Sequence, residues 1–384
     1  MKLIYLTTAS TNVDYETIIN YCFETPNPSN QNFHNALIRA FACFHNIEVV
    51  STSLINSEKL TKENVKRSEA YENHIHYNYL PIKNGKFQKY FTIKKSLTKF
   101  LKKQLKANGN KELLLVIDAM NLTLSNIGQQ FAKKHHIKTL GIITDNPNLI
   151  SNLSQTNKTR FLKHFAKFDY YLCLNDNLNK LANKNKRPYV IINGIFNKTS
   201  LKSSKDSPDY FFFGGALYEK YGVKTLVHAF LNADVDSKLL IAGDGPLKEY
   251  IVRKAMRTRR ITYLGTVSQA ILQNYENNSI ANINPRPLTT DFDAYCIPSK
   301  VIEYATSKSI TISTHHPILY KTFGSSLVWT KDDEKSLTDI IEQVAKMSKT
   351  ERDKKINRAN RIAEDNYSIN KVSVMLKDFL KTVS

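Results

Sequence analysis

The chain has 384 residues, of which 41% are hydrophobic and 23% charged, and its formal net charge is +21. This length is too great for one ordinary core, so two domains are expected, with the composition of a soluble globular protein. No apolar run reaches the ~18 residues of a membrane-spanning helix, and the start MKLIYLTTAS lacks the regions of a signal peptide, so neither is expected.

The cysteines form no metal-binding pattern. They are scattered along the chain, as expected for free thiols in a reducing cytosol, and stand at Cys22, Cys43, Cys173 and Cys296. Two pairs of histidines are adjacent in sequence, and such neighbours rarely present one face to a metal ion. We therefore expect a cytoplasmic protein with no metal site.

Positive charge is concentrated in the first half. Residues 1–200 carry 28 Lys/Arg and 13 Asp/Glu, a net charge of +15, whereas residues 201–384 have a net charge of +6. The densest run, residues 83–106, has nine lysines from Lys83 to Lys106, interleaved aromatic and leucine residues, and no acid. Such a basic amphipathic segment can bind an anionic membrane surface, and a solvated lysine-rich face is the alternative. No nucleic acid is expected as a partner, because no RNA- or DNA-binding motif accompanies the charge.

The first half alternates predicted strands with helices. Phenylalanine and leucine recur at helical spacing from Phe33 to Phe44, and residues 123–134 predict another helix. Residues 113–117 are wholly apolar, as expected for a strand in a parallel sheet covered on both faces. The predicted strands are residues 3–6, 48–51, 113–117, 139–143, 170–174 and 189–192. This alternation is typical of a doubly wound α/β domain.

A polar, Ser- and Lys-rich linker is predicted over residues 197–208. The alternation then restarts with strands over 210–213, 238–242, 261–264, 280–283 and 309–312, and helices over 223–232, from Pro246, over 269–277 and over 299–306. Three helical patterns close the chain. The predicted organisation is a Rossmann-like domain over 1–196, the linker, a second Rossmann-like domain over 209–365, and a C-terminal helix over 366–384 that can pack back on the first domain.

Three predicted strands of the second domain end in glycine turns. Gly214 and Gly215 follow the first strand, LLIAGDGP places Asp244 and Gly245 after the second, and Gly265 ends the third. Glycines let backbone amides approach a phosphate, although any tight turn between a strand and a helix also uses them. The turns share the carboxyl edge of the sheet, where open α/β sheets bind ligands.

Residues 284–303, NPRPLTTDFDAYCIPSKVIE, bring Arg286, Lys300 and Glu303 together around a predicted helix start at Pro298 and Ser299. Arg286 can fork onto phosphate oxygens, and Lys300 adds a point charge. The helix start would aim N–H groups at a diphosphate, and Glu303, one turn later, can accept hydrogen bonds from ribose hydroxyls. Surface charge for the cations and a first-turn capping role for the acid are the alternatives.

The order of these motifs resembles the donor domain of family 4 glycosyltransferases with the GT-B fold, most closely a branch common in bacterial capsule and exopolysaccharide gene sets. The second half carries LLIAGDGP, ITYLGTV, NPRP and PSKVIEY, and the first half carries the weaker NPSNQNFH, DAMN, IITDNP and PYVIINGIFN. The resemblance covers nearly the whole chain. It implies two Rossmann-like domains facing each other across a cleft, and retaining transfer from a nucleotide diphosphate sugar, UDP-sugar favoured, without a metal or cofactor.

The resemblance also implies roles for single residues. The second Glu of the family's Glu-x7-Glu motif binds the donor ribose and corresponds to Glu303, whereas Tyr295 replaces the first, which contacts the donor sugar. Ala216 and Tyr221 replace the Arg and Lys that grip the diphosphate. We infer that Arg286 and Lys300 substitute for them. The predicted donor site comprises Gly214, Gly215, Asp244, Gly245, Val267, Asn284, Arg286, Tyr295, Pro298, Ser299, Lys300 and Glu303.

On the first domain, Asp145 occupies the position at which many relatives carry a histidine that faces the cleft. We predict that it acts beside the reacting sugar as the catalytic partner of the acceptor hydroxyl, and a turn-capping role before Pro147 is the alternative. Asn32 and His34, in and after the polar SNQN loop, are predicted to face the acceptor, although a lone histidine at a helix start is more often structural.

The resulting hypothesis is a cytoplasmic hexosyltransferase-type enzyme bound peripherally to the inner face of the cell membrane. It would move a sugar to the hydroxyl of a lipid-linked glycan in surface polysaccharide assembly. Two alternatives stay open. The missing Arg, Lys and Glu favour a non-catalytic GT-B partner or chaperone of an active transferase, and an enzyme that glycosylates protein would use the same donor site.

Overall fold

The computed structural model describes residues 1–22, 27–110, 112–150, 153–197, 209–288 and 294–383. The chain forms two compact units, one of Met1–Asn197 with Ile369–Ser384 and one of Lys198–Ser368. The predicted linker, apart from Asn197, and residues 289–293 lie outside the described residues.

The first unit is built on an eight-stranded sheet. Strands β1 to β8 are Lys2–Thr7, Ile47–Ser51, Glu69–Glu72, Ile75–Tyr79, Leu113–Asp118, Lys138–Ile143, Tyr170–Cys173 and Tyr189–Ile191. The order is β3-β4-β2-β1-β5-β6-β7-β8, and every neighbouring pair is parallel except β3 and β4. Every residue of β5 is buried, as the apolar run predicts for a central parallel strand.

Six helices connect these strands in the described part of the first unit. Helices α1 to α6 are Asn12–Tyr21, Pro28–Ala42, Lys86–Asn108, Leu122–His135, Gln155–Phe165 and Asp176–Ala182. The predicted amphipathic helix is confirmed as α2, which begins at Pro28 because the Asn27 side chain accepts a hydrogen bond from Ser29 N at 2.9 Å. Leu37 and Phe41 bury its apolar face.

The predicted elements omit the antiparallel pair β3 and β4. Their sequences, EAYE and IHYNY, contain mostly polar or hydroxyl-bearing residues. The signal in β4 is alternation, since Ile75, Tyr77 and Tyr79 are buried while the residues between them are half-buried. Two short polar strands of this kind are stabilised by pairing within the sheet, which local composition does not reveal.

The second unit is built on a six-stranded sheet in which all neighbouring strands are parallel. Strands β9 to β14 are Tyr210–Gly214, Lys238–Ala242, Ile261–Gly265, Ala281–Asn284, Ile310–Thr314 and Val328–Thr330, in the order β11-β10-β9-β12-β13-β14. The described helices α7 to α13 are Val223–Asn232, Lys248–Arg257, Gln269–Asn277, Ser299–Ala305, Pro317–Phe323, Glu334–Ala345 and Lys349–Tyr367. The prediction of a helix from Pro246 is wrong by two residues, since α8 begins at Lys248 after Leu247.

The last helix, α14 (Ile369–Val383), belongs to the first unit. Its buried face includes Val372, Leu376 and Leu380, which join the same hydrophobic cluster as residues of α2. The Tyr170 hydroxyl of β7 donates to the carbonyl of Val383 at 2.9 Å and so fastens the end of the helix. Within the described ranges, no helix is both long and apolar enough to cross a membrane.

Candidate functional site

The glycine turns of the second unit pack against one another at the carboxyl edge of the sheet. Gly215 N donates to the Ala242 carbonyl at 3.0 Å, and Gly243 N donates to the Gly265 carbonyl at 2.8 Å. A Cβ atom on Gly243 would lie 1.8 Å from the Gly215 carbonyl oxygen, and its φ is +137°. Only glycine therefore allows the first two turns to approach so closely.

The two predicted phosphate-facing amides have partners inside the unit. Gly214 N donates to the Tyr304 hydroxyl at 3.0 Å, and that hydroxyl donates to the Gly214 carbonyl at 3.2 Å. Gly215 N is engaged by Ala242. The expectation that these N–H groups point to a phosphate is thus corrected. The amides of Gly214 and Gly215 form hydrogen bonds within the unit and so stabilise the edge of the sheet. In the second turn, Asp244 is exposed and Gly245 half-buried.

Helix α10 lies against this edge through Tyr304, as the contacts with Gly214 show. It begins at Ser299, as predicted, with buried Pro298 as its N-cap residue. Proline offers no side-chain acceptor to the first N–H groups of the helix. Ser299 is exposed, while Glu303, one turn later, keeps 26% of its side chain exposed. The helix therefore brings one carboxylate to the surface beside the glycine turns.

Lys300 has different partners from those predicted. Its Nζ lies 2.9 Å from Glu303 Oε2 and 3.4 Å from Glu276 Oε1, and 5.7 Å from the centre of the Tyr304 ring. Glu276 is the penultimate residue of α9 and has 5% of its side chain exposed. We call Glu276, Lys300 and Glu303 the Glu–Lys–Glu cluster. Because two carboxylates already bind the ammonium, the prediction that Lys300 grips a diphosphate is not supported.

Burial and nearby charges shift the pKa values of Glu276 and Lys300. Burial raises the pKa of Glu276 to about 7, with Lys300 acting to lower it and Glu303 to raise it. Burial also opposes the charge of Lys300, but Glu303 and Glu276 outweigh that effect and hold its pKa above the ordinary range. The lysine therefore stays charged, while Glu276 can take up a proton near neutral pH.

Arg286 lies beside Tyr221, one of the two positions at which the resemblance expects a cation and finds none. The guanidinium carbon is 5.8 Å from the centre of the Tyr221 ring, and Lys220 Nζ is 5.3 Å from the same ring. The Pro285 backbone is close to Gly222, since a Cβ on that glycine would lie 1.9 Å from the Pro285 carbonyl oxygen. Because of this contact, Arg286, which follows β12, lies close to the turn that precedes α7.

Three more predicted donor residues lie near this edge. Asn284, at the end of β12, donates its amide to Ser313 Oγ at 3.1 Å and so links two strand ends. Val267 follows β11 and packs on a small cluster with Phe212. Tyr295 is half-buried and comes two residues after the range 289–293, which is outside the description. None of these contacts reveals a ligand role.

At the carboxyl edge of the first sheet, His34 is wholly buried in a polar cluster. Its Nδ1 lies 2.7 Å from the Tyr5 hydroxyl, and its Nε2 lies 3.5 Å from Asp118 Oδ2 at the end of β5. Burial lowers the pKa of His34, and the charges of Asp118 and Asp145 offset part of the shift. A side chain without exposed surface cannot touch an acceptor, so the expectation that His34 faces the acceptor is corrected to a supporting role.

The two other predicted residues of the first unit are exposed. Asp145 follows β6, and its Oδ2 accepts a hydrogen bond from Thr144 Oγ1 at 2.8 Å. Asn32 lies in the first turns of α2, two residues before His34. Asp145 is close enough to His34 to influence the pKa of that histidine. Helix α2 and the end of β6 therefore meet at one edge, with an acid and an amide on its surface.

Glu276, Tyr5 and Asp118 are absent from the predicted site. Asp118 stands at the end of the apolar β5 run, so its position at the carboxyl edge could have been anticipated. Tyr5 and Glu276 occupy ordinary strand and helix positions, and only packing brings them to His34 and Lys300. Across the described residues, no three His, Cys, Asp or Glu side chains are grouped to hold a metal ion.

Solved structures similar to this chain are glycosyltransferases of the GT-B fold. A sucrose-phosphate synthase from Thermosynechococcus elongatus has a TM-score of 0.73 at 12% identity, over 100% of this chain and 99% of that one. HepE from Anabaena, in complex with UDP and glucose, has a TM-score of 0.68 at 11% identity over 100% of both chains. The lipopolysaccharide outer core galactosyltransferase WaaB has a TM-score of 0.61 at 13% identity over 100% of both chains.

These likenesses confirm the predicted fold. The chain has an α/β architecture of the GT-B class with two Rossmann-like sheets. In sequence, no protein-family model and no curated protein matches the chain. Membership of family 4 and of its capsule-type branch therefore stays a prediction.

Proposed function

We propose that this protein is a glycosyltransferase that moves a sugar from a nucleotide diphosphate sugar to an acceptor hydroxyl. The observation that carries the proposal is the carboxyl edge of the second sheet. Glu303 lies on the helix whose Tyr304 hydroxyl bonds to Gly214, and Arg286 follows β12, the strand next to β9. Open α/β sheets bind ligands at this edge. A partly exposed carboxylate suits the vicinal hydroxyls of a ribose, and a guanidinium suits a diphosphate.

The roles follow from the contacts. Glu303 accepts hydrogen bonds from the donor ribose, and Arg286, with Lys220 beside the same Tyr221 ring, receives the charge of the departing diphosphate. The bond between the sugar and the diphosphate oxygen breaks, and a bond to the acceptor oxygen forms. Asp145, exposed on the first unit, is the proposed partner of the acceptor hydroxyl and takes up its proton as the bond forms. Buried His34 supports the carboxyl edge of the first sheet, where Asp145 stands.

Finer assignments extend the same proposal. UDP-sugars are the favoured donors, because HepE was solved with UDP-glucose and the E. coli trehalose-6-phosphate structure contains UDP-2-fluoro glucose. Transfer proceeds with retention, as the family resemblance implies. The acceptor is a lipid-linked glycan, and the protein binds the inner face of the cell membrane through α3, whose lysines are exposed.

A non-catalytic partner of another transferase is the second candidate. It is favoured by Ala216, Tyr221 and Tyr295, which stand where the resemblance expects two cations and an acid. A protein without a working diphosphate site would bind no nucleotide sugar. The two candidates therefore differ in one measurable property, which is affinity for a donor.

Calorimetric titration with a panel of nucleotide sugars tests the proposal. We expect binding of a UDP-sugar, and we expect Glu303→Ala and Arg286→Ala each to weaken it about 10- to 100-fold, the effect of losing a hydrogen bond to a charged group. Glu249→Ala and Arg253→Ala are matched controls, since both residues are exposed on α8 and pair with each other at 3.6 Å. They should leave the affinity unchanged.

Two results would contradict the proposal. Absence of binding to every donor would favour the non-catalytic candidate, and wild-type affinity in Glu303→Ala would remove the site assignment. Once a donor is found, the anomeric configuration of the product, read by NMR, tests retention. Glycan and protein acceptors offered with that donor separate the lipid-linked acceptor from the protein-glycosylating alternative.

A further inference from the structure

The last turn of α9 carries a buried acid that the proposed donor site does not require. Glu276 has 5% of its side chain exposed, and its backbone carbonyl accepts hydrogen bonds from Asn282 Nδ2 at 2.9 Å and Ser309 Oγ at 2.7 Å. Removing a carboxylate from water is costly unless a charge partner is close, and an apolar residue of similar volume is often as stable. The position of this acid therefore calls for a reason other than stability.

Lys300 connects the buried acid, Glu276, to the partly exposed one, Glu303. Its ammonium lies between Glu276 Oε1 at 3.4 Å and Glu303 Oε2 at 2.9 Å. Glu303 Oε2 is buried, although the side chain as a whole keeps 26% of its surface. The ion pair thus holds one oxygen of Glu303 inward, while about a quarter of the side chain as a whole stays exposed. A lysine has a flexible four-carbon stem, so a second carboxylate is needed to fix its head.

The charge of the cluster also indicates what it can receive. One ammonium between two carboxylates leaves an excess of negative charge when both acids are ionised. Such a surface repels a diphosphate and attracts hydroxyl donors, because ionised carboxylates are acceptors only. The cluster is therefore suited to sugar hydroxyls, and phosphate recognition falls to Arg286 on the neighbouring strand end.

We propose that Glu276 is a positioning residue for nucleotide recognition: it anchors Lys300, and Lys300 orients the Glu303 carboxylate toward the ribose hydroxyls of the donor. This inference rests on the proposed function and deepens it. It gives α9 a part in recognising the ribose without touching the ligand. It also assigns Lys300 a different role: Lys300 pairs with both carboxylates of the Glu–Lys–Glu cluster and is no longer a phosphate ligand.

The test measures discrimination between UDP and 2′-deoxy-UDP by calorimetry in the full chain. The wild type should prefer UDP about 10-fold, the value of one hydrogen bond to a charged group. Glu303→Gln should abolish most of that preference, and Glu276→Gln should reduce it several-fold, although Glu276 touches neither nucleotide. Glu276→Asp, which restores the charge on a shorter stem, should recover part of it. Glu249→Gln on exposed α8 should change nothing.

The preference ratio separates positioning from a structural role. If Glu276→Gln weakens both nucleotides equally and keeps the ratio, or leaves both affinities unchanged, the inference is overturned. A variant that loses its fold would lose affinity for both ligands, so Lys300→Met serves as the second variant and should lower the ratio in the same way. If the wild type binds neither nucleotide, the proposed function itself fails, which is a distinct outcome.

Discussion

Glu276 carries its charge where water is nearly excluded, and this makes the second unit sensitive to pH. Burial raises its pKa from the ordinary 4.5 to about 7. The titratable groups that interact electrostatically with Glu276 are Lys300 and Glu303 of α10, together with the Tyr304 hydroxyl. Between pH 4.5 and 7 the folded state holds a proton at this site that the unfolded chain has released. The free energy of unfolding contributed by this group therefore falls as pH rises through that window.

We expect Glu276→Gln to flatten this dependence. Relative to the wild type, the variant should gain stability as pH is raised from 4.5 toward 8, because it has no buried charge to form. Urea denaturation followed by the fluorescence of Trp329, the sole tryptophan of the chain, reports on the second unit. Glu249→Gln on exposed α8 is the control, and its stability should follow the wild type at every pH. Parallel curves for Glu276→Gln and the wild type would contradict the expectation.

At the scale of elements, α3 has two contrasting faces. Ile93, Leu97 and Leu101 are buried against the unit, whereas the lysines of the helix are exposed. Phe87 and Phe91, in its first two turns, are 83% and 64% exposed. Large apolar side chains among cations, without an acid, are the features of a helix that binds the surface of an anionic bilayer.

Vesicle flotation tests the proposal that α3 binds an anionic membrane. Replacing Lys86, Lys89 and Lys94 by glutamine should lower the partition coefficient onto anionic vesicles about 100-fold, since each lysine near the surface contributes roughly 1 kcal/mol. The control replaces three exposed lysines of the second unit, Lys335, Lys349 and Lys354. It removes the same net charge and should retain most of the binding. An equal loss in both variants would mean that overall charge, not α3, attracts the membrane.

At the scale of the whole molecule, the chain ends in the unit in which it began. Helix α14 follows the second unit in sequence but completes the hydrophobic cluster of the first. Phe379 lies 6.4 Å from the ring of Tyr170, and Leu376 has no exposed surface. The stability of the first unit therefore depends on residues that follow the second unit in sequence.

Leu376→Ala should destabilise the first unit by about 2–5 kcal/mol through the lost burial and the cavity left behind. The far-UV circular dichroism signal should show an earlier transition in urea, while the Trp329 fluorescence transition of the second unit stays in place. Val374→Ala, at an exposed position of the same helix, is the control and should cost little. A fluorescence transition shifted as much as the dichroism would show that the two units unfold as one.

Much of the fold could be predicted because its determinants are local. The apolar run of β5, the helical spacing of α2 and the start of α10 at Ser299 are each determined by a few consecutive residues. The pair β3 and β4 could not be predicted, since its polar strands are stabilised by sheet neighbours. For the candidate site, the donor-binding roles of Arg286 and Glu303 stay predictions, and the sequence could not indicate the partners of Lys300.

By itself the sequence determined most of the strands and helices and the edge at which the glycine turns stand, because hydrophobic period and turn chemistry act over a few residues. Only the tertiary structure decided how those groups are used. Packing brings the Gly214 amide into a hydrogen bond with Tyr304 and buries His34 against Tyr5. It also pairs Glu276 with Lys300, which stands 24 positions later in the chain. Burial and charge pairing depend on which elements meet, and that is a property of the assembled sheet and its helices.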